Sequence, residues 1–115
     1  MYYTYILKCE DGTYYTGITT DVFRRFFEHK SGSRLSAKYT KRHKPLSIEA
    51  VWSSNGRSEA SKLECFIKKL SHSEKEELVT NPSLSETKYA DDISKDTYKY
   101  HMEYKTKKTD TNQPL

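Results

Sequence analysis

Two cysteines in 115 residues, Cys9 and Cys65, are too few for the bridged framework of a small secreted domain, and their separation is not a metal-ligand spacing. There is no apolar run of membrane-spanning length. The opening, MYYTYILKCEDG, puts its basic residue after the apolar run, which is not the order of a secretory signal. The cytoplasm is therefore the expected compartment, with no membrane partner. Apolar residues are scarce as well: 34% of the chain is hydrophobic against 31% charged. They concentrate before about residue 80, so one modest core is expected and no second one. The chain also lacks a zinc finger or any other separate DNA-reading motif.

Charge is present in quantity and unevenly placed. Between positions 24 and 44, Arg24, Arg25, Lys30, Arg34, Lys38, Lys41, Arg42 and Lys44 face Glu28 alone, a balance of +7 within a chain of net charge +4. Residues 71 to 103 carry four lysines against eight acids, a balance of −4. A basic middle beside an acidic end suits a polyanion partner, for which clustered Lys and Arg supply phosphate contacts.

Residues 2 to 9 and 13 to 18 are rich in Tyr, Thr and Ile and flank Glu10-Asp11-Gly12, the pattern of a hairpin. A two-residue turn would pair Tyr15 with Lys8 and set it on the face opposite Tyr5. A three-residue loop with Gly12 left-handed pairs Cys9 with Thr13, Leu7 with Tyr15 and Tyr5 with Gly17. Tyr5 and Tyr15 then become diagonal neighbours on one face, and this bulged turn is the expected one.

Thr19, Thr20 or Asp21 caps a helix over about 21 to 30 that Gly32 ends, with Arg25 and His29 projecting together. A basic loop with at most one helical turn follows to Pro45. Leu46 to Ser53 reads as a strand, Ser58 as the cap of a helix carrying Leu63, Ile67 and Leu70, and Ser71 to Glu74 as a capping box before a helix that Pro82 stops. The fold class is α+β: a three-stranded antiparallel sheet flanked by helices, in the order β-β-α-β-α-α. The folded domain is expected over 1–82, and 83–115 as a polar, flexible tail. Within it, Tyr98, Tyr100, Met102 and Tyr104 alternate in a strand-like way that suits a sheet edge or base stacking.

The ordered set Tyr3-Thr4-Tyr5, Tyr15-Thr16-Gly17 and Asp21 to His29 resembles the GIY-YIG nuclease domain, and Glu64 within Lys62 to Lys68 is similar to its later glutamate. Tyr15 to Thr19 and Ala37-Lys38-Tyr39-Thr40 resemble stretches of the small single-domain bacterial members. The likeness covers about residues 1 to 79. It implies a divalent-metal-dependent endonuclease, with DNA repair or recombination as its setting and Tyr5, Tyr15, Arg25, His29 and Glu64 as catalytic residues.

The residue types suit that chemistry. Arg25 offers a permanently charged, planar donor set for phosphoryl oxygens. Glu64 is the metal ligand, and one carboxylate suits a single Mg²⁺ or Mn²⁺ completed by water and phosphate. Tyr5 or Tyr15 positions or deprotonates the attacking water, which needs nearby cations to lower a phenol from about 10. His29 moves a proton or orients a tyrosine. Arg24, Lys30, Arg34, Lys38, Tyr39, Lys41, Arg42 and Lys44 form the nucleic-acid-binding set, for DNA rather than RNA. Two other readings stand beside this one: a non-cleaving nucleic-acid-binding module on the same fold, and a module whose tail binds a protein partner.

Overall fold

The computed structural model describes residues 1–32 and 37–105. Strand β1 (Tyr2–Cys9) runs antiparallel to β2 (Tyr14–Thr19) and to β3 (Pro45–Ser54). The turn is the bulged form. Gly12 has φ 85°, its N–H donates to the Cys9 carbonyl, and the Cys9 N–H donates to the Thr13 carbonyl. Leu7 therefore pairs with Tyr15 and Tyr5 with Gly17. A second irregularity lies between β1 and β3, where Ile6 pairs with Ala50 but Leu7 with Ile48. The extra residue, Glu49, lets Ile48 and Val51 share the face of Tyr5 and Leu7.

Helix α1 (Val22–Ser31) starts on Asp21, whose carboxylate accepts from the Arg24 N–H, and ends on left-handed Gly32. It covers one sheet face with Val22 and Phe26. A five-residue helix, α2 (Lys38–Arg42), follows. The opposite face is covered by α3 (Arg57–Lys69), through Leu63 and Ile67, and by α4 (His72–Thr80), through Leu78 and Val79. The capping box is made by Ser71 and Glu74, and a 3₁₀ turn begins at Pro82. Helix α3 starts at Arg57, with Gly56 in the cap position and no side-chain cap, so Ser58 sits inside the helix instead of ahead of it. Thr4 ties α3 to the sheet by donating to the Ala60 carbonyl.

The polar stretch after residue 82 corrects the expected tail and strand count. Through residue 105 it is packed. Tyr89, Ile93 and Tyr98 are buried with Trp52, Leu63 and Ile67, and the Tyr98 hydroxyl donates to the Glu59 carbonyl at 2.6 Å. A two-residue strand, β4 (Lys99–Tyr100), pairs with Trp52 and Ser53, giving a four-stranded sheet of order β2-β1-β3-β4. Tyr100 lies against Trp52, and Tyr104, in a closing 3₁₀ turn, lies against Tyr3 on the α1 face. Tyr89, Ile93 and Tyr98 anchor the segment, while local turns over 84–98 and the sheet edge at 99–101 take up its backbone groups. Residues 106–115 lie outside the described residues, as does Arg34. No helix among the described residues is long and apolar enough to cross a membrane.

Candidate active site

The hairpin register sets the tyrosines. Tyr5 and Tyr15 share the α1 face, their rings 6.2 Å apart. Tyr5 lies directly over the backbone of its cross-strand partner: a Cβ on Gly17 would stand 2.5 Å from the Tyr5 hydroxyl and 3.0 Å from the Tyr15 ring. Glycine is required at position 17 by this close approach, since a methyl group there would displace both rings.

Helix α1 adds the next two groups. His29 is fully buried, and its Nε2 is 2.8 Å from the Tyr5 hydroxyl. Its ring also meets Tyr15 edge-on at 5.0 Å. Arg25, one turn earlier, is half-buried, brings its charge to bear on the Tyr5 hydroxyl and pairs with Glu28 at 2.8 Å. Glu28 is thus more than a lone acid in a basic run, because it holds one side of the guanidinium that faces the tyrosine. The other His29 nitrogen, Nδ1, lies 2.8 Å from the buried hydroxyl of Thr40 on α2. Tyr39, the residue before it, tilts against Tyr15 at 5.7 Å and stacks on His43 at 4.2 Å.

Glu64 comes from α3, on the other face, next to the inward-facing Leu63. Its side chain is 24% exposed, its Oε2 lies 3.4 Å from Lys68 Nζ, and its charge acts on the Tyr5 hydroxyl. The structure therefore gathers Tyr5, Tyr15, Arg25 and His29 in direct contact, with Glu64 within electrostatic reach. The expected binding residues Arg24, Lys30, Lys38, Lys41, Arg42 and Lys44 are exposed on α1, α2 and the approach to β3.

The electrostatics differ from expectation in one respect. Burial raises the Tyr5 phenol above its ordinary value, and neighbouring Tyr15 adds to this, while Arg25 opposes it without prevailing. Burial pushes His29 down to about 4, helped by the charge of Arg25. At neutral pH the histidine is therefore an uncharged acceptor and the tyrosine an intact O–H donor. Among the described residues no three His, Cys, Asp or Glu side chains gather into a ligand cage. Glu64 with the nearby phenols is an oxygen-only donor set, which fits a hard cation held largely by water and phosphate.

Sequence reasoning missed Thr40, Glu28 and the role of Gly17. Glu28 was legible as an i,i+3 partner of Arg25. Gly17 follows from the register, since it faces Tyr5. Thr40 was marked only by its place in the Ala37-Lys38-Tyr39-Thr40 stretch, with nothing in the sequence to give the hydroxyl a role.

Comparison with known proteins gives a consistent result. Residues 1–77 match the family model described as the GIY-YIG catalytic domain. A UPF0213 protein of Fusobacterium nucleatum is 46% identical over 81 residues, covering 70% of this chain and 79% of that protein. One from Halobacterium salinarum is 46% identical over 78 residues, covering 68% of this chain and 99% of that protein. Among solved structures, the solution NMR structure of a UPF0213 protein from Bacillus halodurans is 43% identical, covers 76% of this chain and 96% of that chain, and has a TM-score of 0.44.

Proposed function

This chain belongs to the GIY-YIG catalytic-domain family, and from that premise we propose that it is a divalent-metal-dependent endonuclease hydrolysing phosphodiester bonds in nucleic acid, DNA before RNA. The observation that carries the reading is the Tyr5–His29 hydrogen bond at 2.8 Å, formed beside Arg25 and within the field of Glu64. Cleavage requires an activated water and neutralisation of charge at phosphorus. Arg25 serves the second need by donating to a phosphoryl oxygen while Glu28 steadies the guanidinium. Tyr5 serves the first. Its oxygen takes a proton from the attacking water as its own proton passes to His29 Nε2, so the buried phenol never has to exist as a free phenolate. Tyr15 packs against both rings and holds them in line. A Mg²⁺ or Mn²⁺ ion held by Glu64 would supply charge neutralisation at the phosphate and the departing oxygen.

The decisive experiment offers the pure protein labelled single strands, duplexes, flaps and branched junctions, of DNA and of RNA, with Mn²⁺ or with EDTA. Cleavage that requires the metal is the expected result. Binding without cleavage on every substrate would instead favour a non-cleaving module on the same fold.

Affinity should rest on the exposed cations of α2. Reversing Lys38, Lys41 and Arg42 to Glu removes three phosphate contacts, so the plot of log affinity against log salt should become shallower by about 2 to 3. An unchanged slope in a filter-binding or anisotropy titration would move the interface elsewhere.

A further inference from the structure

We propose that Thr40 is a positioning residue that fixes His29 in the Nδ1–H tautomer and so keeps Nε2 open to receive the Tyr5 proton. The number of protons on each group decides the direction of these bonds. The Thr40 hydroxyl lies 3.0 Å from the Ala37 carbonyl and 2.8 Å from His29 Nδ1. A hydroxyl has one proton, and a carbonyl oxygen can only accept. If the proton went to Nδ1, the buried Thr40 oxygen and the Ala37 carbonyl would face each other as two acceptors at 3.0 Å, a costly arrangement. The proton therefore points at Ala37, and the Thr40 oxygen receives a proton from Nδ1. A neutral imidazole has one N–H, so Nε2 is bare.

The other end of the chain of bonds agrees. Arg25, whose charge acts on the Tyr5 hydroxyl, offers only donors and cannot take the phenol proton, so that proton is directed to Nε2 at 2.8 Å. These bonds then run the same way, from Tyr5 through His29 and Thr40 to the Ala37 carbonyl. Such chains polarise one another and strengthen the acceptor. Histidines that act through one nitrogen are commonly fixed by a partner on the other. Here that partner stands on α2, 11 positions along the chain and on the same five-residue helix as Lys38, Lys41 and Arg42.

The kinetic half of the test rests on the nuclease reading, whereas the tautomer half does not. In ¹⁵N-labelled full-length protein, long-range imidazole correlations should show His29 with its proton on Nδ1, assigned against His29→Gln. Thr40→Val should shift His29 toward the Nε2–H form, and Thr40→Ser should restore the wild-type pattern. Metal-dependent kcat should fall roughly 10- to 100-fold in Thr40→Val, with KM little changed and Thr40→Ser recovering most of the rate. A wild-type Nε2–H tautomer overturns the proposal, and that spectrum decides alone should Thr40→Val not fold. A rate loss in Thr40→Val with no tautomer change also overturns it. Should the wild type cleave nothing, the nuclease reading fails and the spectra still decide this one.

Discussion

Truncation after Pro82 should lower the melting temperature by about 10 °C or more, although it leaves the whole matched domain in place. The truncation removes Tyr89, Ile93 and Tyr98 from the core, and with them the Tyr98 bond to Glu59, the β4 pairing and the Lys105 bond to the Val79 carbonyl. Burying a large apolar side chain is worth roughly 1.5 to 3 kcal/mol, so three such residues represent a gross loss of about 5 to 9 kcal/mol. Deletion also recovers the ordering entropy of the segment, so the net loss is smaller than the gross one, and a shift of about 10 °C corresponds to roughly 2 kcal/mol of it. Trp52 provides the measurement: it is the one tryptophan, it is 1% exposed, and its emission should move to longer wavelength when Tyr98 and Tyr100 no longer cover it. A 1–82 chain that melts within about 2 °C of the full protein would sink the argument. That outcome has a rationale, because the Halobacterium relative is 99% covered by a 78-residue match and carries no comparable extension.

The second large effect concerns the site. Tyr5→Phe should reduce metal-dependent cleavage by about 10²- to 10⁴-fold, the range of a positioned proton-transfer group. Glu64→Gln should abolish it. The two variants should separate in stability. Tyr5→Phe keeps the ring over Gly17 but leaves His29 Nε2 buried without its donor, at a cost of roughly 1 to 3 kcal/mol. Glu64→Gln gives up a half-buried carboxylate whose ion pair with Lys68 is 3.4 Å long, a contribution under about 1 kcal/mol. Paired cleavage assays and thermal melts read both quantities. Retained Mn²⁺-dependent cleavage in Glu64→Gln would remove that residue from the metal assignment.

Local chemistry made the hairpin legible from the sequence. Gly12 followed Glu10-Asp11 at the position where a left-handed residue closes a three-residue loop, and that choice alone put Tyr5 and Tyr15 on one face. Arg25 and His29 followed from helical spacing. Of the packed segment after Pro82 only the Tyr98 to Tyr104 alternation was legible, as a sheet edge, because Tyr89, Ile93 and Tyr98 together keep no single period. Their partners, Trp52, Leu63 and Ile67, are also distant in sequence. The raised pKa of Tyr5 was not legible for a related reason: cations can be counted in the sequence, whereas burial is a property of the folded neighbourhood. The role of Thr40 escaped notice because it depends on a contact with His29 on α1.

The smallness of α2 limits how this protein can be re-engineered. A loop that only gripped phosphate would tolerate insertions, and segments could be exchanged between relatives to change substrate preference at no cost in rate. Within Lys38–Arg42 that freedom is absent, because one added residue turns Thr40 by about 100° and takes its hydroxyl away from His29. Substrate preference is open to change here by exchanging Lys38, Lys41 or Arg42 at constant length. Grafts of different length would trade turnover for binding.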